Sequence, residues 1–399
     1  MKLPFLQKGT SQSNKFLSLN INSKEVRGLT IYYDNGKYKI IGTGREQLEN
    51  GSVRNGVIID KDDVVRAVKN VVIQATEELE EKVNNVILGV NGDLCLGLMT
   101  TIRFKRTANL PIEKSEVDNL YDKITEAANI QAQNEYLEIS GNPDIALQNI
   151  TSSNVYLRID GQRVEDLQGQ SGTTVEAAVF NAFAPEYHTK SLQEVIRKAG
   201  LNIMAIGSEM YAFVQWIKQH SKGQEDFVLL TLDNESTNVA VVFGGGIAST
   251  KSLNIGFSHF VEGVAEKMGI TSVEAEKLVK GYIAGKMMES ESAVIQKAIV
   301  EIADIWLSGL ELLFGEFSNV KTFAPKIFIT GYGAEIKDVL SILKSEPWTK
   351  TIPFKSFPDI SKVNFSDFEK ISDATGKVGG AEWLGNVSMS IIYEEIFGI

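Results

Sequence analysis

Two polar turns carry most of the chemistry available to this 399-residue chain. The first is Asn20-Ile21-Asn22-Ser23-Lys24-Glu25; the second is Thr231-Leu232-Asp233-Asn234-Glu235-Ser236-Thr237-Asn238. Each sits between hydrophobic runs, so hydroxyls, amides and carboxylates lie at the tip of a strand-turn-strand unit. A turn that grips phosphate needs glycines, which let backbone N–H groups converge on the oxygens with no side chain in the way. It also uses an aspartate to hold a metal ion or its water. Neither turn has a glycine, and Asp233 with Glu235 places negative charge in the second. Two like unit charges ~4 Å apart cost about 4 kcal/mol at an effective dielectric of ~20, enough to oppose a polyanion. Asn22 and Asn234 tolerate left-handed backbone, so tight turns survive without glycine.

Other reactive residue types form no pattern. His188, His220 and His259 are far apart and lack metal-ligand spacing. Cys95 lies in an apolar stretch and reads as a packing residue. Arg103-Phe104-Lys105-Arg106 is a basic cluster whose plain reading is a solvated edge, with a neighbouring subunit or anionic lipid as the sharper one. The acidic run at 289–292 reads as a surface loop or helix start.

The elements that must position the turns repeat. A strand-turn-strand pattern over residues 15–44 recurs at 227–246, about two hundred residues later, which suggests a duplicated domain. Asp60 can cap a helix to about residue 81, with Val64, Val68, Val71, Ala75 and Leu79 on one face. The continuous apolar run 86–90 fits a strand buried on both faces, reached by a crossover. From 93 to 172 the character changes. A strand at 99–104, a helix from Ser115 and a strand at 155–159 predict a small inserted α+β subdomain. A helix at 192–199 then closes at Gly200. Further on, Thr271 and Glu274 have capping-box spacing. Ile295, Ile299, Ile302, Trp306, Leu310, Leu313 and Phe317 make a long apolar stripe, most simply a core-packing face. A strand at 326–330 runs into Gly331-Tyr332-Gly333-Ala334. Residues 379–393 offer a glycine turn and then an apolar strand or helix. The resulting division is a lead at 1–14, a first domain from 15–92, 173–206 and 379–399, an insertion at 93–172, and a second domain at 207–378 with a smaller part near 258–320.

Bulk properties narrow the class. A net charge of −11 disfavours nucleic-acid binding. A single cysteine rules out an internal disulfide and fits a reducing compartment. No apolar run approaches the ~18 residues of a membrane helix, and the N-terminus lacks a signal-length hydrophobic region. A cytoplasmic protein is expected.

Several short motifs resemble those of the actin-like ATPase superfamily, in its FtsA/PilM branch, with the FtsA family as the nearest match. Gly56-Val57-Ile58-Ile59-Asp60 precedes the first crossover helix. Gly89-Val90-Asn91-Gly92 resembles the entry to the branch's inserted subdomain. Ile159-Asp160-Gly161-Gln162 and Leu167-Gln168-Gly169-Gln170-Ser171-Gly172 resemble its exit. Ala275-Glu276 resembles the family's A-E pair, and Gly331 to Ala334 its adenosine turn. The resemblance covers nearly the whole chain from Lys15 and implies duplicated actin-like (ribonuclease H-like) α/β domains with a small inserted α+β subdomain.

In that family the two polar turns grip a nucleotide's phosphates. The first reads D-I-G-T-S-K; here Asn20 replaces its aspartate, Asn22 its glycine, and Glu25 takes the lysine place. Ser23 keeps one donor, and Lys24 reaches a phosphate after a small register shift. The second reads D-I-G-G-G-T-T-D; its glycines and both aspartates are gone, while Ser236 and Thr237 keep hydroxyls. On the adenosine side the resemblance implies Glu276 at a ribose, Lys280 one residue beyond the usual lysine, and Gly331 and Gly333 near a base. Tyr332 replaces the glycine between them. The plainer readings are a solvated helix face for Glu276 and Lys280 and a strand-to-helix turn for the glycines. ATP is the implied cofactor, and the degenerate loops count against its binding and hydrolysis. No catalytic residue and no metal ligand is assigned.

The implied function is an FtsA-like cell-division scaffold that links the ring of the tubulin-like protein FtsZ to the division machinery. It would bind FtsZ through residues near 258–320 and self-associate through the insertion. A PilM-like cytoplasmic adaptor of type IV pilus assembly is the alternative, and an ATP-dependent enzyme of this fold is disfavoured by the loops. The resemblance also carries a C-terminal amphipathic membrane anchor. Glu394-Glu395-Ile396-Phe397 is too short and acidic for one, so contact with the inner face of the membrane or the division site is expected through a partner.

Overall fold

The computed structural model of the protein describes residues 13–107, 109–220, 225–345 and 348–398. Most of the sequence-predicted N-terminal lead, at 1–12, lies outside them.

The chain opens with β1 (Lys15–Ile21), β2 (Glu25–Asp34) and β3 (Lys37–Gln47), then a short hairpin of β4 (Val53–Arg54) and β5 (Val57–Ile58). Helix α1 (Lys61–Thr76) starts at Asp60, whose side chain accepts from the N–H groups of Asp62 and Asp63. It crosses to β6 (Asn85–Val90). The insertion follows as β7 (Leu96–Lys105), α2 (Lys114–Ser140), β8 (Leu147–Ile159), β9 (Gln162–Val164) and β10 (Thr174–Pro185). Then come α3 (Glu186–Lys198), β11 (Asn202–Ser208) and α4 (Glu209–His220).

The second unit contains β12 (Phe227–Leu232), β13 (Thr237–Phe243), β14 (Gly246–Leu253), α5 (Phe257–Met268), α6 (Ser272–Ile283), α7 (Glu289–Gly315), β15 (Lys326–Thr330), α8 (Lys337–Leu343) and β16 (Asp359–Lys362). The chain returns through β17 (Ile371–Asp373), α9 (Leu384–Ser388) and α10 (Ile391–Phe397). The predicted capping box at Thr271 and Glu274 forms. Of the apolar stripe, Ile295, Ile299, Trp306, Leu310 and Leu313 are buried along α7, Ile302 is half-buried, and Phe317 is buried just past the helix end.

Sheet order shows the duplication directly. The first sheet runs β11-β6-β1-β2-β3-β17; the second contains β16-β15-β12-β13-β14. In both, an antiparallel meander of three strands is extended by two parallel strands on the side of its first strand. This is the duplicated α/β architecture expected from the sequence. The second sheet continues past β14 into the insertion as β7-β10-β8-β9, joined by the Ser249–Leu98 pairing. Helix α2 covers one face of that extension, with Leu120 and Ile124 packed against Leu157, Val175 and Ala177.

Two corrections concern the second domain's limits. Ile371–Asp373 pairs in parallel with β3, so it belongs to the first sheet although the sequence division ran to 378. Helix α4, placed after the boundary at 207, buries Met210, Tyr211, Val214 and Trp216 in the first domain's core. The final segment, open between strand and helix, is helical because it lays Val387, Ile391, Ile392 and Tyr393 into that same core.

Candidate functional site

Duplication brings the β1–β2 turn and the β12–β13 turn face to face. A cleft between the domains is lined by both turns, the loop after β6, the start of α4, α6 and the turn after β15.

The first turn closes its own backbone. Asn22 Oδ1 accepts from Lys24 N at 2.9 Å and from Glu25 N at 3.0 Å. These are the backbone donors that a phosphate-gripping turn offers to its ligand, and here a side-chain amide takes them. Glu25 is held by Arg27 Nε at 3.2 Å, Arg45 Nε at 2.6 Å and Gln47 Nε2 at 2.7 Å.

The second turn is satisfied partly from the other domain. Asn234 Nδ2 donates to Ser23 Oγ at 2.9 Å, and Asn55 N donates to Glu235 Oε2 at 3.0 Å. Asp233 accepts from Thr231 Oγ1 (2.7 Å), Asn91 Nδ2 (3.1 Å) and Asn238 Nδ2 (3.1 Å). On the far side of the cleft, Glu276 pairs with Lys24 at 3.0 Å and with Lys280 at 2.9 Å. Tyr332 packs edge-on against Phe257 with centroids 4.6 Å apart, and Lys280 lies 5.9 Å from the Tyr332 ring.

Electrostatics follow from this pairing. Among the described residues, six carboxylates and four Lys or Arg side chains line the cleft. Each of the four cations lies within 3.2 Å of a carboxylate, although Arg27 keeps a buried Nη1 with no hydrogen-bond partner. Glu209, at the first position of α4, is buried against Gly89 and Gly385 and accepts from the Asn20 amide. Burial, reinforced by the charge of Asp233, pushes its carboxyl up to about 7. Burial also raises Asp233 despite its three donors. For Glu276, burial pulls upward, but hydrogen bonds from Lys280 and Lys24 win and hold it below the usual carboxylate range. His188 at the cleft floor is pushed down to about 4 by burial and is neutral at pH 7. Among the described residues, no group of three or more His, Cys, Asp or Glu is arranged to hold a metal ion.

No protein-family model matches the chain. It is 21% identical over 300 residues to cell division protein FtsA of Streptococcus pneumoniae, covering 73% of this chain and 62% of that protein. To cell division protein FtsA of Enterococcus faecalis it is 22% identical over 258 residues, covering 62% and 52%. The matches span less than two thirds of the length of either relative. A solved chain of the PilM–PilN type IV pilus biogenesis complex matches with a TM-score of 0.67 and 14% identity, over 96% of this chain and 99% of that one. The chain has an actin-like fold of the FtsA/PilM type.

Within that FtsA/PilM-type cleft, the structure gathers Ser23, Lys24, Ser236, Glu276, Lys280 and Gly331. It does not bring Thr237 there. Ser236, directly before β13, lines the cleft, while Thr237, the first residue of the strand, faces the core. The Thr237 hydroxyl donates to Ile255 O at 2.6 Å and accepts from Trp306 Nε1 at 2.8 Å. Gly331 has φ +94°, and a Cβ there would come within 2.5 Å of Leu232 O. A Cβ on Gly333 would overlap the Leu232 side chain. Both glycines are therefore required by the turn's approach to β12, whatever the cleft holds.

Sequence reasoning missed Asn55, Asn91, Arg45 and Glu209. Glu209 alone had a local signal, an acid directly after a buried apolar strand; the others gain their roles from partners far along the chain. Cys95 is buried, and desolvation pushes its thiol up to about 12.

Proposed function

We propose that this chain is an actin-fold scaffold whose two domains are clasped by their own side chains instead of by a nucleotide. The observation that carries the reading is Asn22 Oδ1 in the acceptor place of a phosphate oxygen, bonded to Lys24 N and Glu25 N. Support comes from Glu235 bonded across the cleft to Asn55, from Lys24 committed to Glu276, and from Tyr332 packed where the turn would meet a base.

The residues do not fit ATP with a divalent cation. The loop donors are taken, Asp233 and Glu235 would face the phosphates, and each cleft cation is already paired. Were ATP to bind, Ser23, Lys24 and Ser236 would meet its phosphates, and Glu276, Lys280 and Gly331 its nucleoside. Calorimetric titration of the full chain with Mg-ATP, together with a phosphate-release assay, tests the reading. No saturable binding at micromolar concentration and no release are expected; micromolar binding with turnover overturns it.

As a scaffold, the protein would serve cell division in the FtsA manner, joining FtsZ to other division proteins, with self-association through the insertion and membrane contact through a partner. Sequence similarity to proteins named cell division protein FtsA supports this assignment. The pilus-adaptor reading is favoured by a different observation, the end-to-end match in shape to a chain of the PilM–PilN complex. Both place the chain on the cytoplasmic side, and no helix among the described residues is long and apolar enough to cross a membrane. Affinity capture from native cells separates the two: recovery of FtsZ supports the division role, and recovery of a pilus membrane protein instead replaces it.

A further inference from the structure

Behind the clasped cleft, at the hinge, lies a second cavity. Its free space is about 400 Å³, against about 150 Å³ in the front cleft. Specific ligand sites occupy roughly 300–1,000 Å³, so the rear cavity is large enough to seat a group. Both connections between the domains form its walls. Helix α4, leading into the second domain, supplies Trp216 and Ile217; the return from β16 supplies Val363 and Phe368; Phe328 of β15 completes the apolar part. The indole N–H of Trp216 is spent on Ser388 O at 2.9 Å, and its ring lies 5.2 Å from that of Phe368.

Two further features adjoin the cavity. The first is β16, the outermost strand of the nine-stranded sheet, which ends in the cavity wall. Its inner side is used, with Asp359 N bonded to Pro325 O at 2.7 Å and Val363 N to Ile329 O at 2.8 Å. Alternation along a parallel strand then turns the N–H groups of Ile360 and Lys362 outward, where no described strand pairs with them. The second is charge. Asp367 and Glu369 stand exposed at the mouth, and Lys362, the one lysine among the described wall residues, is paired with Glu335 at 2.5 Å.

We propose that this hinge face docks an extended peptide of a partner protein. The peptide pairs with the outer side of β16, places one aromatic side chain in the cavity, and sets a basic residue beside Asp367 and Glu369. The open edge selects an extended backbone. Trp216 and Phe368 are almost fully buried, so the half-buried Phe328 presents the aromatic surface, which selects a flat apolar anchor. The acidic mouth selects a cation and rejects an acid. Nothing in this proposal depends on whether the front cleft binds nucleotide.

The test uses the full chain and the blocked pentapeptide KVFVK, followed by calorimetry or by NMR line broadening. Saturable binding with a Kd of roughly 0.1–1 mM is expected for so small a probe. Replacing the phenylalanine by alanine (KVAVK), or both lysines by glutamate (EVFVE), should weaken it at least about ten-fold. Ser366→Trp fills the mouth from an exposed position and should abolish binding while leaving the circular dichroism spectrum unchanged. Glu369→Lys, also at an exposed position, should weaken KVFVK and improve EVFVE. The proposal is overturned by any of three results: no saturable binding at several millimolar peptide, undiminished binding to the folded Ser366→Trp protein, or equal binding of phenethylamine, which would make this a small-molecule site.

Discussion

The β1–β2 and β12–β13 turns occupy equivalent places in the duplicated domains, yet their polar groups are satisfied in different directions. The first closes its backbone on itself, with Asn22 bonded to its own backbone and Glu25 to side chains of the same sheet, and meets the other domain through the side chains of Ser23 and Lys24. The second reaches outward, with Asn234, Glu235 and Asp233 bonded to Ser23, Asn55 and Asn91 of the other domain. A turn that closes on itself keeps its shape whether the cleft is open or shut. A turn that bonds outward contributes fully only when the domains are together. The second turn is thus the one whose substitution should reach the whole molecule, and the first the one whose substitution should stay local.

The strongest way to break this contrast is Asp233→Ala. Two donors, on Thr231 and Asn91, would lose their acceptor, while Asn238 Nδ2 keeps Thr231 Oγ1 at 3.1 Å. Each unmet donor costs on the order of 1–3 kcal/mol, so a loss of roughly 4 kcal/mol in urea denaturation is expected. A loss below about 1 kcal/mol would mean that the outward bonds carry little and that the two turns do not differ.

Next in size is Glu209→Gln, which sharpens the account of the cleft floor. Burial and Asp233 raise the folded carboxyl from 4.5 to about 7, so between those pH values the native state holds a proton that the unfolded chain has released. Stability from this group is complete below about pH 4.5 and is lost as pH rises through about 7. Glutamine keeps an acceptor for the Asn20 amide and removes the charge. The variant should match the parent near pH 4.5 and exceed it by roughly 3 kcal/mol at pH 8. Parallel stability curves for the two proteins across this range would show that Glu209 is not desolvated as described.

Much of the architecture was legible in the chain because it is written in local spacing. Asp60 and the Thr271–Glu274 pair mark helix starts, and the strand-turn-strand repeat marks the duplication, since caps and alternation act over a few residues. The loss of glycines from the turns was equally plain. What replaced them was not, because Asn91 and Asp233 are 142 residues apart and Lys24 and Glu276 are 252 apart, with no periodicity to join them. Thr237 was misplaced for a different reason. Residue type matched, but its place as the first residue of β13 turns its hydroxyl into the core, where Trp306 uses it. Ile371–Asp373 escaped notice as part of the first sheet because three residues at an edge carry too short a pattern to read.

Asn22→Gly probes the self-closed turn and should have a smaller effect. It removes the acceptor for Lys24 N and Glu25 N and adds backbone freedom, for an expected loss of about 1–2 kcal/mol. Asn22→Asp retains the acceptor and should recover most of this loss. Hydrogen exchange should quicken at residues 22–25 and stay unchanged at 233–236. Faster exchange in both turns would show that the first turn, too, depends on the other domain.

The smallest effect belongs to the outermost clasp, Lys24 with Glu276. Both side chains are about a quarter to a third exposed, and Glu276 keeps Lys280 as a second partner at 2.9 Å. Half-exposed pairs contribute about 0.2–1 kcal/mol, and a carboxylate that retains one cation loses less than a bare one. Lys24→Met should therefore cost under about 0.5 kcal/mol at low salt, shrinking toward zero near 0.5 M salt as screening removes the pair's attraction. A loss above about 1 kcal/mol that persists in high salt would place the grip between the domains at this rim, and the buried bonds around Asp233 would then be secondary.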